Sequence, residues 1–200
     1  MEHVWKKVEE LRNQYDLLKA DRTPIDVFTF FEVDLRLDAI EFPSLTAKYR
    51  VEAAVKADFS GIYVDQEQYK LMERGPDWKL ARLRFTVAHE LAHYFLHRDV
   101  PQAEHFASLP DFARWNEDYG GRKYTLEQEA NEFAGRLLVP EPRLRACYDS
   151  FSQKMWEILP SFTQSEQVRH KFAETICRRF GVNADVIVIR LDRDGIWSSA

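Results

Sequence analysis

Apolar residues recur every third or fourth position in the long stretches of this chain and every second position in a few short ones. Val4, Val8, Leu11, Tyr15 and Leu18 predict a helix over residues 4–20. Thr23-Pro24-Ile25-Asp26 predicts a second helix start, with Thr23 as the cap and Pro24 in the first turn; that helix runs to about Val33. Three strand candidates follow. Leu35 to Phe42 alternates in part; Tyr49, Val51, Ala53 and Val55 alternate against Arg50, Glu52 and Lys56; Phe59 to Val64 is short and β-prone. Gly75-Pro76 marks a turn, and an apolar-rich helix containing Arg84 to His93 begins near Trp78 or Lys79. A further helix carries Leu126, Ala130, Phe133, Ala134, Leu137 and Leu138 on one face, with Thr125 as its cap and Pro140 as its stop. Residues 143–163 read as helical. A last helix ends at Gly181 in a left-handed turn, and Asn183 caps the segment Val186 to Leu191. Few short strands among many helices indicate the α+β class.

Composition narrows this picture. At 45% hydrophobic, 200 residues suffice for one core of useful size. We divide the chain into a core over residues 1–142 and a helical extension over 143–200. A net charge of −5 argues against broad electrostatic attraction to nucleic acid. No apolar run is long enough to span a membrane. The opening residues, with Glu2, Lys6, Lys7, Glu9 and Glu10, lack the apolar centre of a secretory signal. Cys147 and Cys177 are the two cysteines, too few for a disulfide framework. A cytoplasmic protein is the expectation.

The candidate chemistry lies in His89-Glu90-Leu91-Ala92-His93. On a helix, His89 and His93 stand one turn apart on one face, where both can reach one tetrahedral metal ion. Glu90 flanks the open position and can take a proton from water there. Taken alone, the pentapeptide also fits two ordinary hydrogen-bonded histidines. Glu127 offers a third ligand, and Asn131, four residues on, shares its face and suits a histidine N–H. The same glutamates also fit solvated helix charges. His97 lies a further turn beyond His93 and reads as a supporting histidine rather than a fourth ligand. Arg74, Lys79, Arg82 and Arg84 read as a solvated face. Between the two helices, residues 98–124 are long and aromatic, with Phe106, Phe112, Trp115 and Tyr119 ahead of Gly120-Gly121, and suit a pocket wall or a lid. Tyr119 and Tyr124 are equal candidates for stabilising an oxyanion, and His105 reads as a surface residue.

Phe85-Thr86-Val87-Ala88-His89-Glu90-Leu91-Ala92-His93-Tyr94-Phe95-Leu96-His97, followed by Glu127-x-x-Ala130-Asn131-x-Phe133-Ala134-x-x-Leu137-Leu138-x-Pro140, resembles the ImmA/IrrE family of zinc-dependent metallopeptidases. The resemblance runs from about Pro24 to Leu138, and more loosely beyond. It implies a zincin-like fold with a small sheet, a first ligand helix and a second. It implies Zn2+ held by His89, His93 and Glu127, with Glu90 as the catalytic base. It also implies a protein substrate: a helix-turn-helix repressor, cut once to release the genes it silences. A helix-turn-helix-like C-terminal tail is common in that family, and here its arginines are offset by acids. By analogy with zinc peptidases, Gly61 to Val64 is assigned to the strand at the edge of the cleft, with an ordinary interior strand as the equal alternative. Two rivals stand beside the enzyme: a regulatory zinc-containing binding module without turnover, and a DNA-binding protein working through its last helices.

Overall fold

Val4, Val8 and Leu11 line one face of helix α1 (Glu2–Gln14) and are buried there, as their spacing demands. The structure is a computed structural model; it describes residues 1–18, 24–56, 58–74, 80–98, 121–158 and 165–197. Asp26 caps the short helix α2 (Val27–Thr29), accepting from the Thr29 backbone N–H at 3.1 Å and from the Thr29 hydroxyl at 2.7 Å. Thr23, the expected cap, lies outside the described residues. The chain continues from α2 into a π-helical turn (Phe30–Asp34) that buries Phe30 and Phe31.

Three strands form one sheet: β1 (Asp38–Phe42), β2 (Ala53–Val55) and β3 (Gly61–Asp65), in the order β1-β3-β2. β1 runs parallel to β3 with Asp38 opposite Gly61, and β2 runs antiparallel to β3 with Val55 opposite Ile62. The edge assignment of Gly61 to Val64 is therefore corrected. Both flanks of β3 are occupied, and among the described residues β1 and β2 are the two edges. A Cβ at Gly61 would lie 2.4 Å from the Asp38 carbonyl oxygen, so the parallel pairing requires glycine there. The second predicted strand is also shorter than its alternation suggests. Leu45–Tyr49 instead forms helix α3, bracketed by Ser44 and Arg50 at positive φ and anchored where the Thr46 N–H donates to Asp65 Oδ2 at 2.9 Å.

Helix α4 (Gln66–Arg74) follows the sheet. Helix α5 (Leu80–Leu96) buries Leu83, Val87 and Leu91, which recur every four residues and face the centre of the molecule. Helix α6 (Gly121–Leu138) presents Ala130, Phe133, Ala134 and Leu137, all fully buried. Phe95 stacks on Phe133 with ring centroids 6.0 Å apart, so the two long helices meet through aromatic as well as aliphatic surface. Since α6 starts at Gly121, Thr125 lies inside the helix rather than at its cap. Pro140 does fall just beyond its end.

Helices α7 (Glu141–Ile158), α8 (Glu166–Phe180) and α9 (Ala184–Arg193) complete the fold. The Ser165 hydroxyl caps α8, and Gly181 ends it at φ +65°. The chain then turns back over α9, where Trp197 packs against Tyr148 and Phe172 at centroid distances of 5.4 and 6.2 Å. One apolar cluster joins Val4, Ile62, Leu91, Phe133, Leu144, Phe172 and Leu191. Beside it lies a charged interior. Glu132 is surrounded by Arg136, Arg190 and Arg193, and Asp194 pairs with Arg136 and Arg190. A Cβ at Gly135 would stand 3.2 Å from Arg190 Cδ, which shows how closely α9 approaches α6. Among the described residues no helix is long and apolar enough to cross a membrane. The whole is mostly helical with a small three-stranded sheet, the α+β arrangement of a zincin-like fold.

Candidate metal centre

Helical spacing brings His89 and His93 together on α5, with their Nε2 atoms 3.3 Å apart. From α6, Glu127 places Oε2 3.1 Å from His89 Nε2 and Oε1 3.8 Å from His93 Nε2. One ligand atom from each of the three lies within 4.8 Å of the others. Tetrahedral ligands at roughly 2.0–2.1 Å from a zinc ion stand about 3.3–3.4 Å apart, close to the 3.3 Å between the two Nε2 atoms and the 3.1 Å from His89 Nε2 to Glu127 Oε2. Among the described residues no other set of histidines, cysteines or acids converges in this way.

The next layer supports the donor set. Asn131 Oδ1 is 3.1 Å from His89 Nδ1. An amide oxygen accepts, so Nδ1 carries the proton and Nε2 turns a lone pair toward Glu127. His93 Nδ1 lies 2.8 Å from His97 Nδ1, and His97 Nε2 lies 3.1 Å from Glu129 Oε2. Lone pairs on two imidazoles and a carboxylate at these distances repel one another unless a cation or proton lies among them. The three residues fit a divalent metal ion on their own chemistry.

Glu90 sits outside this triangle. Its Oε2 accepts a hydrogen bond from the Val55 backbone N–H at 2.7 Å, which ties it to β2. Burial pushes its carboxyl up to about 7, against the pull of His89 and the Val55 N–H. That value suits a group that takes up and returns a proton near neutrality. Burial, helped by the charges of His89 and His97, pushes His93 down to about 3 and keeps it unprotonated. His89 moves the other way: burial opposes its charge, but Glu127, Glu90 and Asn131 outweigh burial and raise it.

The structure thus brings together His89, His93, Glu90, Glu127 and Asn131. His97 is buried behind His93. Tyr124 is 68% exposed on α6, while Tyr119 and His105 lie outside the described residues, as do Gly75-Pro76 and most of the 98–124 connection. Arg84, read from sequence as part of a solvated face, is buried with its guanidinium over the Phe28 ring. Two groups escaped the sequence reading. Glu129 looks like any exposed helix charge until its contact with His97 is seen. The Val55 N–H is a backbone group, and no side-chain pattern announces it.

Comparison with curated proteins found no match. Residues 76–192, more than half of the chain and inclusive of His89, Glu90, His93, His97, Glu127, Glu129 and Asn131, match the family described as IrrE N-terminal-like domain, Peptidase_M78. The protein belongs to that family of peptidases.

Proposed function

We propose that this protein is a zinc-dependent endopeptidase of the cytoplasm that cuts a helix-turn-helix transcriptional repressor and thereby releases gene expression. The observation that carries the enzymatic part is the triangle of His89, His93 and Glu127 with Glu90 beside it and outside it. A site that served stability alone would need a fourth ligand more than an adjacent carboxylate. When bound, zinc would supply Lewis acidity, lowering the pKa of a water and polarising the scissile carbonyl.

The chain's own residues do the rest. Glu90 accepts the proton of the attacking water and hands it to the leaving nitrogen. Within β2 the even positions face β3: Lys56 N–H donates to the Gly61 carbonyl at 2.9 Å, and the Glu52 carbonyl accepts from Asp65 N–H at 2.8 Å. Ala53 and Val55 therefore turn their backbone groups to the other side, where no described strand pairs with them. The repressor as substrate has its support in the family resemblance alone.

The DNA-binding reading has less support. Of the four arginines at the C-terminal end that could contact phosphates, Arg190 is buried against Glu132 and Asp194, and Arg193 pairs with Glu132. Arg178 and Arg179 stay exposed. The deciding experiment incubates the protein with each repressor-like product encoded beside its gene, with zinc and with a chelator. Defined fragments that vanish with the chelator support the proposal; intact partners under both conditions overturn it.

A further inference from the structure

The contacts behind His93 form a chain of three side chains. His93 Nδ1 is 2.8 Å from His97 Nδ1, and His97 Nε2 is 3.1 Å from Glu129 Oε2. His97 is 6% exposed, and its ring lies 4.8 Å from that of His93, centroid to centroid. The other oxygen of Glu129, Oε1, is 3.2 Å from His3 Nε2 on α1.

A carboxylate can only accept, so the proton of a neutral His97 sits on Nε2 and points at Glu129. Its Nδ1 is then a bare acceptor. For the 2.8 Å contact to be a hydrogen bond, His93 must donate from Nδ1. That leaves the lone pair of His93 on Nε2, facing Glu127. We propose that His97 and Glu129 are positioning residues: they set the tautomer and the ring orientation of His93 and so prepare its Nε2 to hold the metal ion. The inference rests on the metal-site reading above and goes beyond it. His89 has its proton placed in one step by Asn131, whereas His93 receives the same instruction from a carboxylate two hydrogen bonds away. Partners of this kind commonly account for 10–100-fold in metal affinity.

The test has two arms. In metal-free wild-type protein, two-dimensional 15N NMR of the imidazoles reads the tautomer directly; His93 is expected with Nδ1 protonated and Nε2 bare. Zinc affinity is then measured by competition with a chromophoric chelator for wild type, His97→Leu and His97→Gln. His97→Leu removes both hydrogen bonds and is expected to weaken zinc about 10–100-fold. A glutamine can accept from His93 and donate to Glu129, so His97→Gln is expected to recover most of the loss. His93 found with a protonated Nε2, or a folded His97→Leu protein with wild-type affinity, overturns the proposal. If His97→Leu does not fold, the wild-type tautomer still decides. Wild-type protein that binds no zinc defeats the proposed function instead, and the tautomer remains readable without metal.

Discussion

The backbone N–H of Val55 donates to Glu90 Oε2 at 2.7 Å, joining the edge strand β2 to the carboxylate assigned as base. A hydrogen bond to a charged acceptor is worth about 1.5–3 kcal/mol, and this one fixes where the carboxylate points. Proline is tolerated where an edge N–H faces away from its sheet, so Val55→Pro deletes the donor with limited damage to β2. We expect the turnover rate to fall by about 10–100-fold, in line with that energy, while bound zinc stays at the wild-type level. Rates from fragment quantification and metal content by elemental analysis check both halves. Unchanged turnover would remove Val55 from the mechanism.

Glu90→Gln tests the base itself. The side chain keeps its size and can stay close to β2, but it no longer accepts a proton. Zinc content should be retained and cleavage reduced by at least about 10²–10⁴-fold, the range for a general base. His89→Ala and Glu127→Ala should behave in the opposite order, losing zinc first and activity as a consequence. Undiminished metal in either alanine variant would refute its place in the triangle.

The two histidines should differ in how protons compete with the metal. His89 is raised above its ordinary range and His93 is held at about 3, so protons contest His89 alone in mild acid. Zinc affinity should be complete above the His89 value and fall as the pH drops through it. Calorimetry in buffers of different ionisation heat, on Glu90→Gln to silence that carboxyl, should find close to one proton released per zinc at about pH 6. Two protons released at that pH would contradict the assignment to one histidine.

Glu132 predicts an acid limb in stability. Burial pushes its carboxyl up, but Arg136, Arg193 and Arg190 outweigh burial and hold it below the usual carboxylate range. A group depressed in the folded state contributes stability above its unfolded value of about 4.3, and that contribution is lost as the pH falls through the folded value. Removing one partner of a buried ionic cluster costs about 3–5 kcal/mol. Glu132→Gln should therefore be destabilised by about 3 kcal/mol at neutral pH, and the gap from wild type should narrow below about pH 4. Urea titrations at the two pH values measure it; a constant gap would sink the prediction.

Phe133 is fully buried and stacked on Phe95 between the helices that carry the candidate ligands. Phe133→Ala should cost about 3–5 kcal/mol and loosen the metal as well, because the two ligand helices lose part of their shared surface. Denaturation and zinc competition measured on the same preparation distinguish this from a purely local effect.

Much of this site could be read from the chain because its chemistry is local. A spacing of four on a helix puts His89 beside His93 and Glu127 beside Asn131, whatever the rest of the protein does. The C-terminal end of α8 was equally plain, since Gly181 can adopt a left-handed conformation at little cost. What escaped depends on distant partners. Strand order follows from pairing across the sheet, so nothing within Gly61 to Val64 reveals that β1 lies on its other flank. The relay through Glu129 needs a glutamate thirty-two residues beyond His97 to turn inward. Arg190 carries the residue type of a surface position, yet three-body pairing on α6 and α9 draws it under. Tyr49, where alternation indicated the start of a strand, instead closes the helix Leu45–Tyr49, whose first turn is held by a carboxylate from β3.

The ring of arginines around Glu132 has a consequence for α6 as a whole. Greasy side chains pack almost as well after a helix rolls a few degrees about its long axis, but guanidinium and carboxylate groups lose their partners. Glu132 therefore acts as a key in a lock, admitting one angular setting of the screw on which Glu127, Glu129 and Asn131 also ride. A charge cluster on α6 keeps three oxygen-bearing side chains aimed at three imidazoles, His89, His93 and His97, and the C-terminal helix that supplies Arg190 and Arg193 is thereby part of the instrument that aims them.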